Sequence, residues 1–375
     1  MFAFCHGSRA VAIAAAAAGA ATLTLPATAA QATAPPVFIG GLHMIRTVAS
    51  TVPANGDVNP YGVVVIRRSQ GSLYAGSVLV SNFNNARNQQ GTGATIVQIS
   101  PGGKRTAFAH LSRASLPGRC PGGVGLTTAL TTLPGGWVVV GTLPTRDGTA
   151  ATSSAGCLIV LDSHGRARET ISGHGINGPW DMTSTSRGRT ALLFVTNVLN
   201  GTAAARGKVV HRGTVLRLTL ALRGSQPPSP SDITAVGSGF AERTDPAALV
   251  VGPTGVGLRG GSLYVADSQA NRITLIRAAL SRTASAGTGR VITSGGALST
   301  PLGLAIAPGG DILTVNGGNG KLVETTPAGR QAATRLLDRS GSPPGAGALF
   351  GLAVAPGGTG LYYVDDAVNT LRLLH

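Results

Sequence analysis

Downstream of Ala30 the chain carries six histidines, His43, His110, His164, His174, His211 and His375, none of them in a cluster with metal-ligand spacing. One has a carboxylate close by in sequence. His174 stands seven residues before Asp181 across a Gly-rich stretch, and such a pair can act as a general base and its orienter. The competing reading is a surface histidine in a loop. A second group of candidates is the recurring set Asn82, Asn197, Asp267, Asn316 and Asp365. Each precedes a turn, where Asp and Asn accept backbone N–H bonds and order the chain, so these read as structural. The third is the amide-rich run from Asn82, Phe83 and Asn84 to Gln90. Its uncharged donors and acceptors would suit a sugar or a peptide backbone, although Asn-rich loops also simply make turns. Serine and threonine are too abundant to single out a nucleophile, and no G-x-S-x-G motif precedes a helical pattern.

The elements that position these residues are repeats. Pro253-Thr254-Gly255 leads to Leu263-Tyr264-Val265-Ala266-Asp267. Pro301-Leu302-Gly303 leads to Ile312-Leu313-Thr314-Val315-Asn316, and Leu349-Phe350-Gly351 to Leu361-Tyr362-Tyr363-Val364-Asp365. A period of about 50 residues made of short apolar strands and Gly-rich turns implies stacked modules. Three looser copies precede them, led by Pro60-Tyr61-Gly62, Val124-Gly125-Leu126 and Pro179-Trp180-Asp181. The economical architecture is all-β: a six-bladed β-propeller of four-stranded antiparallel blades around a channel. The sixth copy ends after its third strand, and Met44 to Ser50 is free to supply the fourth, closing the ring and removing an exposed edge.

The first three copies carry insertions between their second and third strands. The step from Asp or Asn to the third strand is six residues in the last three copies. It is 14 from Asn82 to Ile96, 17 from Gly141 to Leu158 and 18 from Asn197 to Val215. This connection lies on the face where the innermost strands begin, so the insertions should crown one channel mouth. One-sided insertions often mark a binding face, with neutral drift as the alternative. The mouth itself should be ringed by Tyr61, Trp180, Thr254, Leu302 and Phe350. Cys120 and Cys157 belong on the same face, and an even pair in an exported chain reads as a disulfide, with two buried free thiols as the alternative.

Pro253-x-Gly255, Leu263-Tyr264-Val265-Ala266-Asp267 and Asn271-Arg272-Ile273 together resemble an NHL repeat, clearly in the last three copies and weakly in the first three. The resemblance implies a six-bladed propeller of about the span 60–375, a binding platform, or distant similarity to gluconolactonase-like propellers and related lyases. Gluconolactonase-like propellers take calcium ligands from acidic and amide side chains at or beside the mouth positions. Here those positions are mostly apolar, and a hard cation needs six or more oxygens. No metal or cofactor is therefore expected.

Composition narrows the rest. With 55 glycines, 22 prolines and 43% hydrophobic residues among 375, the chain can build a large all-β core. Arg9 followed by the uncharged run Val11 to Leu25 and Ala27-Thr28-Ala29 reads as a signal peptide over 1–29. Residues 30–41 then form a linker and 42–375 a single propeller. Export to the periplasm or medium is expected, with no membrane span after cleavage, because no later apolar run is long enough. The net charge of +16 invites an anionic partner. Its arginines are scattered and aromatics are 4%, which argues against nucleic acid. The expected function is an exported, monomeric, non-enzymatic propeller that binds a ligand, glycan or protein partner. Tyr61, Asn82, Phe83, Asn84, Trp180 and Phe350 are its expected contacts. The alternative is an exported hydrolase or lyase with an acid–base site near Asp181 and His174.

Overall fold

A computed structural model describes residues 37–246 and 248–375, with Met1, Phe2, Gly7, Ala10 and Ala12 besides. The leader read over 1–29, apart from those isolated positions, and the first part of the linker lie outside the described residues.

Short apolar runs broken by Gly-rich turns become antiparallel sheets because each turn reverses the chain before a helix can form. Blade 1 comprises Val58–Val65, Val78–Asn84, Thr95–Ile99 and Arg105–His110; blade 2 comprises Leu126–Leu133, Trp137–Thr142, Leu158–Leu161 and Ala167–Ile171. Blade 3 is built from Gly178–Arg187, Thr190–Val198, the long strands Val210–Arg223 and Gln226–Asp245, and a fifth strand, Leu249–Val251. Blade 4 runs through Pro253–Arg259, Ser262–Asp267, Arg272–Ile276 and Arg290–Ser294, and blade 5 through Pro301–Ile306, Ile312–Asn316, Lys321–Thr325 and Gln331–Leu336. Blade 6 takes Leu349–Val354, Leu361–Asp365 and Thr370–Leu374 from the end of the chain and Ile45–Ser50 from near its beginning. The last pairing runs antiparallel from Ile45 opposite Leu374 to Ser50 opposite Thr370, with one register shift between Thr47 and Ala49. Each innermost strand touches the next, and the sixth touches the first. The ring is closed as the sequence implied.

Second strands are buried along most of their length, as are the third strands of blades 1, 2, 4 and 5, and apolar clusters fill the wedges between blades. Leu79, Ile96, Val138 and Ile159 lie between blades 1 and 2, and Val139, Leu193, Val195 and Leu216 between blades 2 and 3. Part of the stretch read as linker is docked. Ile39 is buried, and the backbone N–H groups of Phe38 and Ile39 donate to the Glu324 carboxylate at 2.8 Å each.

Candidate functional site

Every innermost strand breaks its pairing register just after it begins: between Pro60 and Val63, Leu126 and Leu130, Pro179 and Met182, Pro253 and Val256, Pro301 and Leu304, and Leu349 and Leu352. A bulge bends the strand and re-aims its side chains, and here it turns one residue per blade toward the axis. In blades 1, 4, 5 and 6 a glycine follows, Gly62, Gly255, Gly303 and Gly351, and crowding requires it. A Cβ at Gly303 would overlap the Phe350 carbonyl oxygen, and one at Gly351 the Tyr61 carbonyl oxygen. Hydroxyls tie neighbouring strands at this level: Ser81 donates to the Thr127 carbonyl at 2.7 Å and Thr127 to the Pro179 carbonyl at 2.7 Å.

The aromatic residues aimed at the axis close this mouth. The Tyr61 ring stacks on Phe350 at 4.0 Å and on Phe83 at 4.5 Å, with Trp180 at 6.2 Å. Leu302 and residues 248–251 join the same apolar cluster. The crown loops interlock around it. Thr145 donates to the Gln90 carbonyl at 2.5 Å, Gln89 to that of Asp147 at 3.4 Å, and Gln90 to that of Pro246 at 2.6 Å. The contacts expected from the sequence are therefore interior. Tyr61, Phe83, Trp180 and Phe350 are at most 2% exposed, as are Asn82 and Asn84. The reason is that rings converging on one axis bury more surface against one another than any could keep in an open mouth. Burial also pushes the Tyr61 hydroxyl well above the usual phenol range.

The amides of the first insertion satisfy the chain itself. Asn84 donates to Asn88 at 2.6 Å, Asn85 to Gln89 at 2.9 Å, and the Asn85 side-chain oxygen accepts from the backbone of Arg87 and Gln89. The recurring Asp and Asn residues are structural as well. Asn197 accepts from the backbone of Asn177 and Gly178, while Asp267 and Asp365 pair with Arg272 and Arg372 at 2.7 and 3.2 Å. Cys120 and Cys157 form a disulfide on the crowned side, closing a 37-residue separation. In the chain-entropy account that contributes about 4 kcal/mol.

His174 and Asp181 are not brought together as a dyad. His174 is exposed at φ 50° in the tight turn between Gly173 and Ile176. Asp181 lies inside, where its carboxylate accepts the backbone N–H of Met182 at 2.8 Å and of Val256 at 3.1 Å. The bulge separates neighbours here, sending Trp180 into the aromatic plug and Asp181 below it.

Below the plug the channel is open. A cavity of about 780 Å³ runs between all six innermost strands and reaches the turns that join first to second strands, on the face opposite the crown. Asp181 lines its inner end, 9% exposed. Burial raises the Asp181 carboxyl to about 8, against the pull of the two backbone N–H groups. One wall, from blades 2 and 3, is rich in hydroxyls, including Thr128, Thr131, Thr183 and Thr185; the other, from blades 4 to 6, is aliphatic. The Thr128 hydroxyl, enclosed on a residue 4% exposed, has no hydrogen-bond partner among the described residues. Sequence reasoning placed Asp181 beside the mouth and missed this channel end. The signal was there: Asp181 occupies the position that is Gly62, Gly255, Gly303 and Gly351 in other copies.

Calcium at the crowned mouth does not fit these residues, since the ring there is sealed and aromatic or aliphatic except at buried Thr254, whose hydroxyl faces the Ala266 and Pro301 carbonyls. Among the described residues no group of three or more His, Cys, Asp or Glu is placed to hold a metal.

No protein-family model matches the chain, and no curated protein sequence matches it. Solved structures do match. A gluconolactonase from Xanthomonas campestris superposes with a TM-score of 0.54 at 12% identity, covering 88% of each chain. Regucalcin from Agrobacterium tumefaciens, described as a calcium-binding protein, gives a TM-score of 0.54 at 12% identity over 87% of this chain and 92% of its own. At such identity the shared property is the fold, a six-bladed β-propeller like those of the gluconolactonase-like proteins.

Proposed function

We propose that the protein is a small-molecule hydrolase or lyase that works in the open channel, with Asp181 as its acid–base group. The carrying observation is the replacement of the repeat's axial glycine by a carboxyl at the closed end of a cavity large enough for a ligand. A group whose pKa lies near the working pH both gives and takes protons efficiently, and Asp181 is held at about 8. Protonated, it would deliver a proton to a leaving oxygen; ionised, it would remove one from substrate or water. The N–H groups of Met182 and Val256 fix its orientation. The gluconolactonase among the similar folds makes lactones the first substrates to try. The disulfide and the leader expected from the sequence support a site of action outside the cytoplasm.

A second reading, binding without turnover, is favoured because among the described residues the Asp181 carboxylate meets backbone N–H groups and no ionisable side chain. Turnover of a lactone and ester panel by wild type and Asp181→Asn separates the two. The enzyme reading expects kcat to fall about 100-fold or more in the variant, with EDTA without effect. Wild-type activity that survives Asp181→Asn would remove Asp181 from the mechanism. Ligand binding without turnover of any panel member would favour the second reading.

A further inference from the structure

Arginines that look scattered along the sequence are gathered by the fold. The turns joining first to second strands surround the open end of the channel, and they carry Arg67 and Arg68 from blade 1, Arg187 and Arg189 from blade 3, and Arg259 from blade 4, all exposed. None is in an ion pair among the described residues. The same six turns hold one carboxylate, Asp311, and it is buried. Arginine forks recognise carboxylate and phosphate through paired N–H donors, and a ring of like charge at a cleft draws in ions of the opposite sign. Inside the rim the walls differ, with Thr131 and Thr183 on one side and Ile306 and Val354 on the other.

We infer that the channel takes an amphipathic anion, a molecule with a hydrocarbon edge, an oxygen-bearing edge, and a carboxylate or phosphate held at the arginine rim. The inference rests on the reading of the channel as the ligand site, and it adds the ligand's class and orientation. The hydrocarbon edge lies against the aliphatic wall, where burial of apolar area drives binding. The oxygens meet the threonine wall at Thr183 and Thr185. The anion stays outside because the channel's inner end offers no cation. At neutral pH Asp181 is mostly protonated, so that end does not repel the ligand.

The test is calorimetric binding of 3-hydroxydodecanoate, with its methyl ester as the uncharged control and phosphatidylglycerol vesicles as the lipid-surface control. The acid should bind about tenfold or more tightly than the ester. Each of the double variants Arg67→Gln/Arg68→Gln and Arg187→Gln/Arg189→Gln should weaken it about tenfold, and added salt should weaken it steeply. Ala305→Trp, which fills the channel, should abolish binding; the rim variants are all at exposed positions and stand independently of it. Equal affinity for acid and ester, or rim variants that bind like wild type, would overturn the proposal. So would binding to vesicles without binding of the free acid, which would make the face a lipid-docking surface. Because binding is read directly, Asp181→Asn should retain it even where turnover is lost, so failure of the catalytic reading and failure of this one give different results.

Discussion

A glycine-to-carboxylate exchange at a single repeat position carries the functional reading. In four of the other five copies Gly62, Gly255, Gly303 and Gly351 let adjacent strands approach. Asp181 puts a carboxylate at that place, and its oxygen accepts the Val256 N–H of the next blade. The exchange has a thermodynamic signature. A carboxyl raised from 3.8 to about 8 on folding keeps its proton where the unfolded chain has lost it. Its contribution is full below pH 4 and falls away as pH rises toward 8. Burial raises Glu242 and Asp366 to about 7, so they act in the same direction. The melting temperature of Asp181→Asn relative to wild type should therefore climb between pH 4.5 and pH 8. A difference that stays constant across that range would mean the carboxyl is ionised in the fold. Asp181 was legible as a candidate from sequence; its partner His174 was not excluded, because seven residues of chain can bring two side chains together or hold them apart.

At the scale of elements, the repeated bulge decides which way the first strand's residues point. The augmented third blade decides which mouth stays open. The sequence shows the insertions of blades 1 to 3 as extra length at one connection, and the structure places them on one face as expected. Their inward fold was not legible. Spacing reports how long a loop is, whereas its direction depends on whether rings such as Tyr61 and Phe350 find each other before solvent does. The closing strand was readable from a deficit, a sixth copy one strand short. Removing residues 42–51 would expose the whole edge of Thr370–Leu374 and take away buried Leu42. That deletion should lower the melting temperature by roughly 10 °C, checked by calorimetry. An unchanged melting curve would mean the seam contributes nothing to stability.

For the whole molecule, blade number and topology could be read because the repeat states them several times over. The two faces could not be told apart by function, since charge in a propeller is sorted by which turn a residue occupies and not by its neighbours in sequence. Arg67, Arg187 and Arg259 are far apart along the chain and meet around one opening. On the proposed reading that opening is where an anionic ligand would dock, while the aromatic residues that suggested a binding mouth belong to the core on the other side.

The seam has one more consequence. His43 and Met44 both donate to the His375 carbonyl, at 2.9 and 2.7 Å, so the propeller's backbone is a loop in all but one covalent link. Joining His375 through a short flexible linker to Val37, so that docked Ile39 and Leu42 are kept, and cutting instead at the exposed turn Gly224-Ser225, away from the arginine rim, would preserve every strand pairing. A chain permuted in this way should fold, melt within a few degrees of the original and bind the same anion. Where the protein's ends lie is then a matter of gene order, and the channel is indifferent to it.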